Sequence, residues 1–99
     1  MPMFVAVCRL EIHLEGASSL KDKRGVLQST IRRVRNQFRV SIAEVEAMEN
    51  HNLAVLGIAA VSNDGGHARG LLEDVVRFLE RTRLDAEIGA VEFDVLSAL

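Results

Sequence analysis

FVAVCRLEIHLEGASSLKDKRGVLQSTIRRVRNQF, Phe4 to Phe38, is the stretch that decides the fold, because its hydrophobic period changes once within it. From Phe4 to Leu14 the side chains alternate. Phe4, Ala6, Cys8, Leu10, Ile12 and Leu14 share one face, while Val5, Val7, Arg9, Glu11 and His13 share the other. A period of two marks a half-buried strand, and Gly16 ends it. Ser19 then opens a helix, with Asp22 three residues on in a capping-box-like Ser-x-x-Asp. Within that helix Leu20, Leu27, Ile31, Val34 and Phe38 recur at helical spacing and form one apolar stripe.

Outward from this unit, VSIAEVEAM from Val40 is β-branched and reads as a second strand. Its alternation slips between Ile42 and Ala43, as at a bulge or a strand buried on both faces. Glu49 to Asn52 reads as a hairpin turn. LAVLGIAAVS follows, apolar on both faces, as a central strand requires. Asn63 to Gly66 is a turn in which Asp64 can cap the next helix. Leu71, Leu72, Val75, Phe78 and Leu79 line that helix, which is expected to end near Arg83. Residues 86 to 96 form a last strand, with Val91, Phe93 and Val95 alternating with Glu92 and Asp94.

The order β-α-β-β-α-β admits few right-handed, unknotted topologies, and the commonest is the ferredoxin-like split βαβ sandwich. The expected fold is therefore α+β: a four-stranded antiparallel sheet in order 4-1-3-2 with two helices on one face, spanning residues 1–99 as a single domain. The sheet's other face stays open. Val5, Val7 and one apolar set from residues 53 to 61 lie on it. An exposed apolar patch of that kind predicts a homodimer through the sheet or its edge. The competing reading is that flanking charged side chains cover the valines.

A chain of 99 residues with 48% hydrophobic and 26% charged residues has the composition of a globular domain, not a disordered one. One cysteine excludes an internal disulfide and is consistent with a reducing compartment. No apolar run reaches membrane-spanning length. MPMFVAVCRL lacks a basic leader, and Arg9 and Glu11 interrupt it, so no signal peptide and a cytoplasmic location are expected.

The charge is segregated. Ser18 to Arg39 holds seven of the twelve basic residues and one acid, a local +6 in a chain of net charge −2. Such a field attracts phosphates or acidic partners. Lys21, Lys23 and Arg24 stand in the first helical turn, where free backbone N–H groups make a phosphate site plausible. The plain alternative is that all three are solvated. Lys21, Arg32, Arg35 and Arg39 share a rhythm with Gln28 beside the apolar stripe, and Arg33 lies on another face. That ridge suits contact with a nucleic-acid backbone. Its counter-reading is neutralisation by Glu44, Glu46 or Glu73. Glu44 and Glu46, two apart on a strand, are expected on one face, pairing with the arginines or holding a cation with Glu49.

The blocks Ser19-Leu20-Lys21-Asp22-Lys23-Arg24, Val40-Ser41-Ile42-Ala43-Glu44-Val45 and Leu56-Gly57-Ile58-Ala59 carry a resemblance covering nearly the whole chain. In order and spacing the sequence resembles the domain-of-unknown-function family 503, the YlxP-like small bacterial proteins. That resemblance implies a ferredoxin-like fold and genes beside those for translation initiation and ribosome maturation. No established activity comes with that resemblance. Similar chains have a Trp in the second hairpin where this one has His51, so a role built on a stacking indole is not expected here.

Other chemistry is poorly supplied. His13, His51 and His67 show no ligand spacing, and with Cys8 on the core face no metal or other cofactor is expected. Cys8 has no neighbouring base and reads as a small hydrophobe. Gly65-Gly66 before a helix lacks the phosphate-loop patterns, and a turn with a cap accounts for it. No Ser-His-Asp set can be assigned. The acylphosphatase version of this fold needs an arginine-bearing loop after the first strand, where this chain has Glu15-Gly16-Ala17-Ser18. Four Phe without Trp or Tyr cannot furnish an RNA-stacking sheet.

Three readings of function remain, none enzymatic. The first is an accessory protein touching RNA or the ribosome through the basic helix. The second is a small-molecule-sensing module using the Glu15–Ser18 loop. The third is a scaffold whose basic ridge meets an acidic protein.

Overall fold

A computed structural model describes residues 2–82 and 86–99. Along the chain run β1 (Phe4–His13), α1 (Leu20–Gln37), β2 (Ser41–Glu46), β3 (Leu53–Ser62), α2 (Gly65–Arg81) and β4 (Glu87–Ser97). The four strands form one sheet in the order β2-β3-β1-β4, every neighbour antiparallel. Read from the other edge, this is the expected 4-1-3-2. The anticipated helix end near Arg83 lies outside the described residues, α2 itself running to Arg81.

One face of the sheet carries the core. Ala6, Cys8, Leu10 and Ile12 of β1 and Ala54, Leu56, Ile58 and Ala60 of β3 pack with Leu27 and Val34 of α1 and with Leu72, Val75 and Leu79 of α2. Both helices therefore cover the same face, as the period-two and helical stripes require. An edge-to-face contact between Phe38 and Phe78, centroids 5.5 Å apart, ties the end of α1 to α2. Gly65 sits where a Cβ would come within 3.1 Å of Val95 Cγ1 and 3.3 Å of Phe4, so a larger residue there would push those side chains by a few tenths of an ångström.

Two irregularities shape the surface. The β1–β4 register shifts between Leu10 and Ile12. In β2–β3 the register passes from Glu44↔Leu56 to Glu46↔Val55, leaving Val45 as the extra residue of a bulge. The slip expected between Ile42 and Ala43 thus occurs about two residues later. Its consequence is chemical: Glu44 faces the helices and Glu46 the open face, so the expected same-face pair of carboxylates does not exist. A period-two count across a bulge assigns every later side chain to the wrong side.

Candidate nucleic-acid interface

α1 begins at a cap built as the sequence suggests, with one change. The Ser19 hydroxyl accepts from the Asp22 N–H at 3.1 Å. Asp22 reaches back to Ser18, accepting its backbone N–H at 3.1 Å and its hydroxyl at 2.7 Å. These hydrogen bonds, the Ser18 hydroxyl first, hold the Asp22 carboxyl below its ordinary pKa. An anionic carboxylate therefore already occupies the start of the helix, where a phosphate was expected.

Lys23 departs furthest from the sequence expectation. It is 1% exposed and sits in the core-facing stripe with Leu27, Thr30 and Val34. Its Nζ donates to the carbonyls of Ala47 (2.7 Å), Asn50 (2.7 Å) and Leu53 (2.8 Å), and Glu44 Oε2 lies 2.8 Å away. An ammonium has three protons, and three carbonyls take them. Glu44 Oε2 consequently has no hydrogen bond of its own and is held by charge. Lys23 cannot meet a phosphate. It fastens the first turn of α1 to the turn between β2 and β3, where Ala47 adopts a left-handed φ of 61°.

Lys21, Arg24, Arg32, Arg35 and Arg39 are all exposed. Among the described residues Lys21, Arg24, Arg32 and Arg39 have no carboxylate within ion-pair distance. The carboxylates proposed to neutralise them are engaged elsewhere. Glu44 lies against Lys23, Glu46 binds Arg9, and Glu73 lies 3.8 Å from Arg69. Arg35 is partly committed, one Nη2–H donating to the Ile42 carbonyl of edge strand β2 at 3.0 Å. Arg39 is not on the helix. α1 stops at Gln37, and Phe38 caps it in extended backbone, φ −130° and ψ 143°. Lys21, Arg24, Arg32 and Arg35 remain as one flank, about 21 Å long at 1.5 Å per residue.

A second cluster, on the open face, escaped the sequence reading. Arg9 grips Glu46 with two hydrogen bonds, Nε to Oε1 at 2.9 Å and Nη2 to Oε2 at 3.0 Å. Glu11 lies 3.3 Å and Glu92 3.6 Å from its Nη1. The Arg9 hydrogen bond holds the Glu46 carboxyl below its ordinary pKa. Cross-strand register brings Glu46 and Glu92 to Arg9, while Glu11 is its neighbour on β1. The legible signal was alternation placing Arg9 and Glu11 on the open face. A further depression of about 470 Å³ lies at the Gly16 loop, lined by Leu14, Gly16, Ala17, Asp22 and Val26.

Cys8 is buried on the core face, and desolvation pushes its thiol up to about 11. Among the described residues no three His, Cys, Asp or Glu side chains gather as a metal site would need. No described helix is long and apolar enough to cross a membrane.

The model of a protein family described as "Protein of unknown function (DUF503)" matches residues 5–93. The chain belongs to this family. It is 34% identical over 76 residues to the "Uncharacterized protein YlxP" of Bacillus subtilis (strain 168), covering 77% of this chain and 83% of that one. The match to the family spans β1 through most of β4, so it includes α1 and its basic flank. Among solved structures the fold resembles the de novo designed protein Foldit4, with a TM-score of 0.54, 16% identity and coverage of 98% of this chain and 99% of that one. At that identity the likeness concerns the fold alone.

Proposed function

We propose that this member of the family is a non-catalytic accessory protein that docks the basic flank of α1 on RNA phosphates, free or within the ribosome. One observation carries the reading: Lys21, Arg24 and Arg32 are exposed and unpaired among the described residues, while Glu44, Glu46 and Glu73 are bound to other cations. Cations in such a row displace the counterions condensed on a polyphosphate, which favours binding at low salt. The contact reads little sequence. Among the described residues Phe38, Phe78 and Phe93 pack against the core and Phe4 is half-buried on β1, which leaves little aromatic surface for stacking bases. The gene neighbourhood implied by the family resemblance and a cytoplasmic location both fit this role.

Co-sedimentation with ribosomal subunits at two salt concentrations, alongside anisotropy with a labelled RNA, tests it. Binding is expected at low salt, and both high salt and the double variant Arg24→Glu/Arg32→Glu should remove it. Absence of binding at low salt, or binding indifferent to the double reversal, would sink the reading. A second reading, small-molecule sensing, is supported by the depression at the Gly16 loop. Stabilisation in a thermal-shift screen against amino acids, abolished by Gly16→Leu, supports it.

A further inference from the structure

We propose, resting on the RNA reading above, that the form of RNA taken by the α1 flank is a double-stranded stem, held by its phosphates.

Lys21, Arg24, Gln28, Arg32 and Arg35 follow one another at steps of three, four, four and three residues, and all are exposed. Steps of that size keep successive side chains on one side of a helix, so they form a line along α1 interrupted only by Gln28. The line is fixed at both ends. Lys23 fastens the first turn of α1 to the carbonyls of Ala47, Asn50 and Leu53. Phe38, just past the last turn, packs on Phe78, and Arg35 reaches the Ile42 carbonyl of β2. Cations set along a rigid rod of about 21 Å favour a polyanion whose phosphates are already ordered. A stem meets that condition. A single strand must first give up its conformational freedom to lie along the rod. Pairing two strands also doubles the phosphates along the axis.

The shape of the site agrees. Proteins that hold single strands combine a positively charged groove with aromatic side chains on which bases stack. This flank is the side of a rod, and no Phe lies between Leu20 and Gln37. The depressions at the Gly16 loop, over Gly57 and between α2 and β4 are lined by residues outside the flank. Because Arg35 leans on β2, the outermost strand, the flank runs along one margin of the molecule and is open to a broad body. On α2, Arg69 and Arg77 are engaged by Glu73 and Asp74, which confines the contact to α1. Stems are recognised through shape and phosphates without stacking, which is what such a surface supplies.

Fluorescence anisotropy on the full chain decides it. The probes are a labelled RNA duplex of about 16 base pairs and one of its strands alone, A-rich and unable to pair with itself, at one low salt concentration. The duplex should bind about tenfold more tightly than the strand. Gln28→Lys fills the gap in the line; it should tighten the duplex about threefold and steepen the salt slope by about 1. Gln37→Lys adds the same charge nine residues on, two and a half turns round and hence on the opposite side, and should change binding less than about twofold. A strand bound as tightly as the duplex overturns the proposal and leaves the RNA reading standing. Equal gains from Gln28→Lys and Gln37→Lys would show that net charge, not the line, attracts RNA, and overturn it too. No binding of either probe ends both readings. Displacement of the duplex by polyglutamate at equal charge would give the flank to an acidic protein instead.

Discussion

Lys23 Nζ lies 2.8 Å from Glu44 Oε2, and both groups sit between α1 and the sheet, one 1% and the other 22% exposed. The ammonium holds three backbone carbonyls as well, so it joins α1, β2, β3 and the turn between those strands at one point. Removing it would strand four acceptors at once. Lys23→Met should therefore destabilise by about 3–5 kcal/mol in urea unfolding, the cost of breaking a buried, fully bonded charge. Glu44→Gln should cost less, about 1 kcal/mol, because water reaches Glu44 and the carbonyls keep the ammonium. A loss below 1 kcal/mol for Lys23→Met would show that the carbonyls find other donors.

Gly57 and Val45 are coupled across the β2 bulge. A Cβ on Gly57 would lie 2.8 Å from Val45 Cγ1. Gly57→Ala should destabilise by about 1–2 kcal/mol, an overpacking cost. Val45→Ala on the same chain should return most of it, since the three heavy atoms nearest that Cβ all belong to Val45. A double-mutant cycle from denaturant midpoints measures the coupling, and strict additivity would refute it.

The Cys8 thiol should be chemically silent in the folded chain. It is 3% exposed and its pKa is raised to about 11, so thiolate is scarce at pH 8. Labelling by a thiol reagent at pH 8 should follow the rate of unfolding and rise with urea. Rapid stoichiometric labelling without denaturant would mean that β1 opens locally.

Salt dependence reports how many cations the RNA contact uses. With Lys21, Arg24, Arg32 and Arg35 engaged, log K against log salt should fall with a slope of about −3 on single-stranded RNA. Arg24→Gln should flatten that slope by about 1, with a similar effect on unrelated sequences. A slope near zero, or a strong dependence on base sequence, would point to a different contact.

Much of the fold was legible because it depends on period. β1 alternates without interruption, α1 carries a stripe, and chain connectivity leaves few ways to close the sheet. The same periodicity held a signal for Lys23, three residues after Leu20 and four before Leu27, within the stripe it proves to join. Composition alone reads a lysine as solvated, and only the carbonyls of Ala47, Asn50 and Leu53, about 24 to 30 residues away, make its burial tolerable. Arg39 looked helical because its spacing continued that of Arg32 and Arg35. Extended backbone at Phe38 ended the helix first.

Local order along the chain, from the strand alternation of Phe4–Leu14 to the Ser19 cap and the collected cations of α1, was determined by the sequence by itself, since neighbours a few residues apart set such patterns. Which cations remain free was decided only by the tertiary structure. Whether Lys23, Arg9 or Arg32 finds a carboxylate depends on segments brought together by strand register and by one extra residue at Val45, and distance in space is not written in distance along the chain.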